Sequence, residues 1–316
     1  MFFRLYKKIT VVLFLAIVVS GIVRTVVNAD TEAVQIVVLM SQVAEHYKEA
    51  LVGYKEFLAN QNLKTDFHVF NLKGDSSKAA GIIEKTSKRK PDLILTFGTL
   101  AAKTISGKIT DIPIVAGMVL RSDYLLKPTN ITGVVMEYPL DTQFKWLKRF
   151  LPDAKTIGVI YNPEENQERI DEANVYLNGM GFTLYSQKVN DPKEIPRALE
   201  SLAKRVDVIW GMPDKVVYTT QTAKHILLFS YRNRIPFVGL SSAWVKAGAL
   251  YALDWDYTDV GKDCGEITLE VLQGGKKVLF PPVTTDNVKY SLNLKAAERM
   301  KVEIPEKLVR EAKTVY

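Results

Sequence analysis

The stretch LILTFGTLAAKT (residues 93–104) runs from an apolar segment through Gly98-Thr99 into residues that favour helix. A strand, tight turn and helix in that order hold anions, because the first helical N–H groups are unpaired and carry partial positive charge. A nucleotide-binding loop would need G-x-x-x-x-G-K-[ST]. Aligned on Lys103-Thr104, this stretch has Phe97 and Ala102 where the glycines belong. The turn therefore suits a carboxylate better than a phosphate. A second candidate, GLSSA (239–243), sets Ser241 after a strand-like run, as a nucleophile elbow does. Ala243 replaces its last glycine, and His46, His68 and His225 all precede the serine. A triad is defined by geometry and not by chain order, so an exported enzyme stays as the lesser alternative. Ser241 reads better as a cleft-facing hydroxyl or a helix N-cap. The histidines lack metal-ligand spacing and the single Cys264 cannot build a thiolate site. No catalytic residue, cofactor or metal is therefore expected.

Binding without chemistry remains. Gly98 and Thr99 offer N–H groups and a hydroxyl, and Ser41-Gln42 takes the equivalent place after the first strand-like run. Thr99 and Ser41 can equally cap their own helices. Asn162, Asp214 and Ser241 each follow a later strand-like run, and Asp214 could hold a ligand ammonium or be a solvated loop acid. Asp254 lies in an apolar run that would face a cleft, and Trp210, Trp244, Trp255 and Tyr257 cluster near the same edges. Most such aromatics supply buried area, with one or two left to line an apolar ligand.

These residues need a scaffold, and the hydrophobic pattern supplies one. Apolar runs at 34–40, 65–70, 92–97 and 112–117 alternate with amphipathic helical stretches. The order recurs at 156–162, 182–187, 206–211 and 235–240. Apolar strands separated by amphipathic helices predict parallel sheets covered on both faces. Local wording repeats too: PDLILTFG leads to DIPIVAG, and VDVIWGM leads to RIPFVGL. The fold class is α/β, with two doubly wound parallel-sheet lobes and a ligand cleft at the carboxyl ends of their strands. Crossing strands are expected at 131–139, 248–256 and 287–293. The expected divisions are an N-terminal lobe over 33–138, a C-terminal lobe over 139–255, and a returning segment over 256–316 whose helices pack across both lobes.

The first 29 residues differ from the rest. Arg4, Lys7 and Lys8 precede an apolar stretch from Ile9 to Val23, and small residues end at Ala29. This is the pattern of a secretory signal cleaved after Ala29; an uncleaved anchor is the alternative. Removing it lowers the net charge from +7 to +3, since it carries four basic and no acidic residues. The mature chain has no basic stripe beyond KTSKRK (85–90), so nucleic acid is not an expected partner. Cys264 excludes an internal disulfide and reads as a small buried residue. His68, among apolar neighbours in a strand, reads as structural, while His46 and His225 fall on helices and read as partly exposed.

Four stretches, DLILTFGTLAAK, NITGVVMEYPLDTQFKWLKRFLPDAKTIGVIYNPEEN, GALYALDWDYTDVGKDCGEITLEVLQGGK and YSLNLKAAERMKVEIPEKLVREAKTVY, resemble in order and spacing a known family. It is the substrate-binding proteins of ABC transporters with the type I periplasmic-binding-protein fold, in the group that includes tryptophan and tyrosine binders. The resemblance implies an exported, periplasmic or extracytoplasmic, monomeric binding protein, not an enzyme. It would capture a small solute, an amino acid or related carboxylate, and deliver it to an ABC permease served by a separate ATPase subunit. It would meet the membrane only through that permease or an uncleaved signal. An anchored ligand sensor using the same cleft is the alternative. One departure stands out: after IPIVAG the family continues into an acidic-proline turn, whereas this chain reads MVLRSDYLLKP.

Overall fold

Residues 34–40, VQIVVLM, are apolar at nearly every position, and a strand of that kind must be covered on both faces. In the computed structural model they form β1 (Val34–Met40), a central strand of a six-stranded sheet. Residues 32–122, 125, 129–275, 278, 281–285 and 287–316 are described. The expected export signal and part of MVLRSDYLLKP lie outside them.

The chain continues through α1 (Glu45–Asn60), β2 (Thr65–Asn71), α2 (Ala79–Arg89), β3 (Leu93–Phe97), α3 (Thr99–Ile105), β4 (Ile114–Val119) and β5 (Ile131–Val135). It enters the second lobe at α4 (Leu140–Phe150). There follow β6 (Thr156–Tyr161), α5 (Pro163–Gly179), β7 (Thr183–Lys188), α6 (Ile195–Leu202), β8 (Val208–Trp210), α7 (Thr220–Asn233), β9 (Phe237–Val238), α8 (Ser242–Ala247) and β10 (Tyr251–Asp254). The returning part holds α9 (Tyr257–Gln273), β11 (Val283–Thr284), β12 (Lys289–Leu292), α10 (Leu294–Met300), α11 (Glu306–Arg310) and β13 (Thr314–Val315).

The first sheet has the order β11-β5-β4-β3-β1-β2 with every pair parallel. The second has the order β13-β12-β10-β9-β8-β6-β7, in which β12 runs antiparallel to β10. Alternation along β1 sends Ile36, Val38 and Met40 to the face covered by α1 and α9, and Val37 and Leu39 to the face holding Ala101 and Ile105 of α3. Burial on both sides drives each lobe at roughly 25 cal/mol per Å² of apolar surface. The helix α9 returns to pack on α1, where Gly53 and Gly261 let the backbones meet; a Cβ on either would overlap the facing helix.

The shared wording of the two halves has a structural meaning. Asp92 opens β3 and its Oδ2 accepts from Gln35 N of β1 at 2.8 Å. Asp207 opens β8 and its Oδ2 accepts from Thr156 N of β6, also at 2.8 Å. The carbonyls of Pro113 and Pro236 accept from Ile94 N and Ile209 N at 3.0 and 2.8 Å. A proline at a strand start gives up its N–H but keeps its acceptor.

The three runs expected to cross between lobes are placed differently in detail. Residues 131–135, 251–254 and 289–292 are strands within the two sheets, and the chain passes between lobes just beyond their ends, at 136–139, 255–256 and between β11 and β12. Cys264 is fully buried on α9, and burial pushes its thiol pKa well above the ordinary range. His68 Nε2 lies 3.0 Å from Arg89 Nη1 at a half-buried strand position.

Candidate functional site

At the first lobe's lip the expected polar residues meet, and they bind one another. Ser41 directly follows β1, is 3% exposed, and its Oγ accepts from Ala101 N at 2.9 Å. It thereby caps α3 from a neighbouring strand, a hydrogen bond that satisfies one of the helix's free donors. Gly98 has φ +94°, and a Cβ there would overlap the Ser41 hydroxyl and crowd the Tyr47 hydroxyl. Thr99 Oγ1 accepts from Leu120 N at 3.2 Å. Gln42 is exposed, and its carbonyl accepts from Asn71 Nδ2 at 3.0 Å. The expected carboxylate seat is thus partly filled: Ala101 N–H is held by Ser41 and Ala102 N–H by the Gly98 carbonyl.

In the second lobe Asp214 holds parts of its own chain. Its side chain is buried; Oδ2 accepts from Asn162 N at 2.7 Å and Asn166 Nδ2 at 2.9 Å, while Oδ1 accepts from Val216 N and Val217 N at 2.9 Å each. A carboxylate offers about four acceptor positions, and here donors of the chain occupy them all. Asp214 fastens the loop after β8 to the start of α5. Asn162 is buried beside it and donates from Nδ2 to the Val189 carbonyl at 3.1 Å. Ser241 stands at the N-cap of α8 without a side-chain capping bond, its carbonyl accepting from Trp244 N and Val245 N. Asp254 is buried at the end of β10, where Oδ1 accepts from Trp255 N at 2.8 Å and Oδ2 from Ser291 Oγ at 3.2 Å, with Lys313 Nζ 3.8 Å away. None of the eight expected residues lines the cavity beside the passages between lobes.

That cavity lies at the carboxyl ends of β8 and β9, against the passages between lobes. About 620 Å³ of space, open to solvent on one side, lies between its walls. Tyr138 and Trp255, one from each of two passages, stack with ring centroids 4.0 Å apart and planes 5° apart. Trp210, Tyr251 and Leu253 add further wall. The Trp210 indole donates to Gln143 Oε1 at 2.9 Å, and Gln143 Nε2 donates to the Tyr138 carbonyl at 2.6 Å. This relay fixes the indole and satisfies its one donor, so its ring is presented as an apolar surface.

Among the described residues, the charged ones lining the cavity are Glu137 and Arg169. Glu137 lies in the first passage and Arg169 on α5; Arg169 Nη1 is 2.5 Å from Glu137 Oε1, each side chain 21% exposed. Arg169 Nε and Nη2 are buried without a hydrogen-bond partner. Burial holds the guanidinium pKa below its ordinary value; Glu137 and Glu172 oppose that shift and the like charge of Arg121 adds to it. Among the described residues no group of three or more His, Cys, Asp or Glu could hold a metal ion.

Sequence reasoning named Trp210 and Trp255 near the site but missed Glu137, Tyr138, Gln143 and Arg169. A signal did exist for Arg169. It is the single basic residue of PEENQERIDEANVYLNG, a stretch with five acids. Glu137 likewise interrupts the apolar run ITGVVMEYP.

The family model described as "ABC transporter substrate binding protein" matches residues 33–316. The chain is 28% identical over 265 residues to a "Tyrosine-binding protein" of Clostridioides difficile strain R20291, covering 79% of this chain and 74% of that protein. A ligand-free, open substrate binding protein with adhesive properties from Clostridium difficile superposes with a TM-score of 0.76 at 23% identity, covering 89% of this chain and 98% of that one. An ABC domain in complex with L-Trp from Streptococcus pneumonia gives 0.62 at 24% identity, covering 90% and 100%. The match through both lobes and the returning segment, together with the shared two-lobed fold, fixes the assignment: this chain belongs to the ABC transporter substrate-binding protein family.

Proposed function

We propose that the protein is the extracytoplasmic solute receptor of an ABC import system. It takes a small carboxylate-bearing solute with an aromatic or bulky apolar body into the cavity beside the interlobe passages and presents it to a permease, while hydrolysis belongs to a separate ATPase. The observation that carries this reading is the cavity itself: stacked and hydrogen-bond-oriented aromatics around one ion pair, at the carboxyl ends of parallel strands. Aromatic walls supply the free energy of burial, and a small number of placed polar groups supply orientation. Two lobes joined by short passages favour hinge closure around a bound solute. Export follows from the basic, apolar and small-residue pattern of residues 1–29. A chain that kept those residues would present the same cleft as an anchored sensor.

Mass spectrometry of the protein purified gently from its native source identifies the carried solute. The expected finding is an aromatic or apolar carboxylate, released intact on denaturation, with no conversion after prolonged incubation. Recovery of a chemically altered product would sink the non-enzymatic reading.

A further inference from the structure

The polar centre of the cavity is asymmetric. Arg169 gives Nη1 to Glu137, while Nε and Nη2 are buried with no partner. Those two nitrogens share one edge of the planar guanidinium and point two parallel N–H bonds the same way, the arrangement that pairs with both oxygens of a carboxylate. Buried charged donors without acceptors are costly. A guanidinium that borders a cavity with its bidentate edge unfilled is therefore short of one anion.

The acids nearby decide whether the ligand must also bring an ammonium. Asp214 and Asp254 are occupied by donors of the chain, and Glu165 accepts from Lys215 N at 3.0 Å and Lys215 Nζ at 2.7 Å. Glu137 has one oxygen on Arg169. The charges felt by Arg169 are Glu137, Glu172 and Arg121, and Glu172 stands exposed, where water and salt screen it. An anion entering here meets the unfilled edge of Arg169. An ammonium entering beside it would meet that guanidinium, and the one acid of the described cavity lining, Glu137, is already on it.

Resting on the solute-receptor reading above, we propose that Arg169 seats the ligand's carboxylate through its Nε and Nη2 edge, and that the solute is an aromatic carboxylate for which an α-ammonium is dispensable. Glu137 orients the guanidinium and competes with the ligand for it.

Isothermal titration calorimetry tests this with matched pairs: L-phenylalanine and 3-phenylpropionate, L-tryptophan and 3-indolepropionate, with phenethylamine and tryptamine as amines lacking the carboxylate. Wild-type protein should bind at least one of the two desamino acids as tightly as its amino acid or more tightly, and neither amine. Arg169→Gln should weaken binding of that acid about 10- to 100-fold, the loss of a charged bidentate contact. Glu137→Gln should tighten it several-fold by removing the competitor, which a merely structural ion pair would not do. Should Arg169→Gln melt early, Arg169→Lys keeps the charge without the fork and should still lose about tenfold. Undiminished binding by the Arg169 variants, or an amino acid held more than tenfold tighter than its desamino partner, overturns the inference and leaves the receptor reading standing. Failure of every acid and amino acid to bind wild-type protein overturns both.

Discussion

Asp92 and Asp207 hold corresponding places at the amino ends of β3 and β8, each tying the opening of the adjacent strand by its carboxylate. At the carboxyl ends of the same sheets the two lobes part company. The first lobe closes its lip with two hydroxyls, Ser41 Oγ on Ala101 N and Thr99 Oγ1 on Leu120 N. The second closes its lip with a carboxylate, Asp214, that gathers four donors from two separate segments. The ends away from the cleft keep what a sheet needs; the ends at the cleft are free to differ. The lips' polar residues hold each lobe's own loops, and the charged pair that lines the cavity lies on the passage and the helix beside it.

If that contrast is right, Asp214→Ala carries the largest cost. It strands several buried donors at once and should lower unfolding stability by roughly 3–5 kcal/mol. Denaturant titration measures this. A variant as stable as wild type but deficient in ligand binding would instead restore Asp214 to the ligand.

Ser41→Ala removes the acceptor for a single N–H at the start of α3, so about 1–2 kcal/mol is expected. The ratio between these two losses is the sharper measurement. Equal losses would mean that the lips are built alike after all.

The smallest effect concerns the shared end. Burial of the Asp207 carboxyl would raise its pKa, but hydrogen bonds from Lys155 N and from Thr156 N and Oγ1 outweigh it and hold the pKa below the ordinary carboxylate value. A folded pKa below the unfolded one gives stability that is present above the unfolded value, near pH 4, and is lost as pH falls through the folded one. Asp207→Asn should therefore cost about 1 kcal/mol at pH 7, discounted because the residue is exposed. The gap to wild type should narrow toward pH 3 in thermal melts. A gap independent of pH would remove the carboxylate's charge from the account.

The alternation of apolar runs and amphipathic helices was legible because it is set by neighbours along the chain. VQIVVLM is short and rich in β-branched residues, which favours a strand buried on both faces, and PDLILTFG and VDVIWGM share the Asp that opens each strand. Less legible were the ends of the apolar runs near the passages. ITGVVMEYP reads as one crossing, yet its first five residues belong to a sheet and only Met136 to Pro139 leave it. Sheet membership depends on which strand lies alongside, and β5 finds its partners in β4 and in β11, nearly 150 residues further on.

The sequence by itself determined the element order, the duplication and the family resemblance, since hydrophobic period and turn chemistry act over a few residues. It also put acids, hydroxyls and aromatics near strand ends. Only the tertiary structure decided what each of them touches. Asp214 and Glu137 are both carboxylates next to apolar segments. One is surrounded by N–H donors of its own loop and of α5, while the other meets a guanidinium 32 residues away that keeps two donors free of any partner. A carboxylate's role is set by the donors within about 3 Å of it, and that distance is not written along the chain.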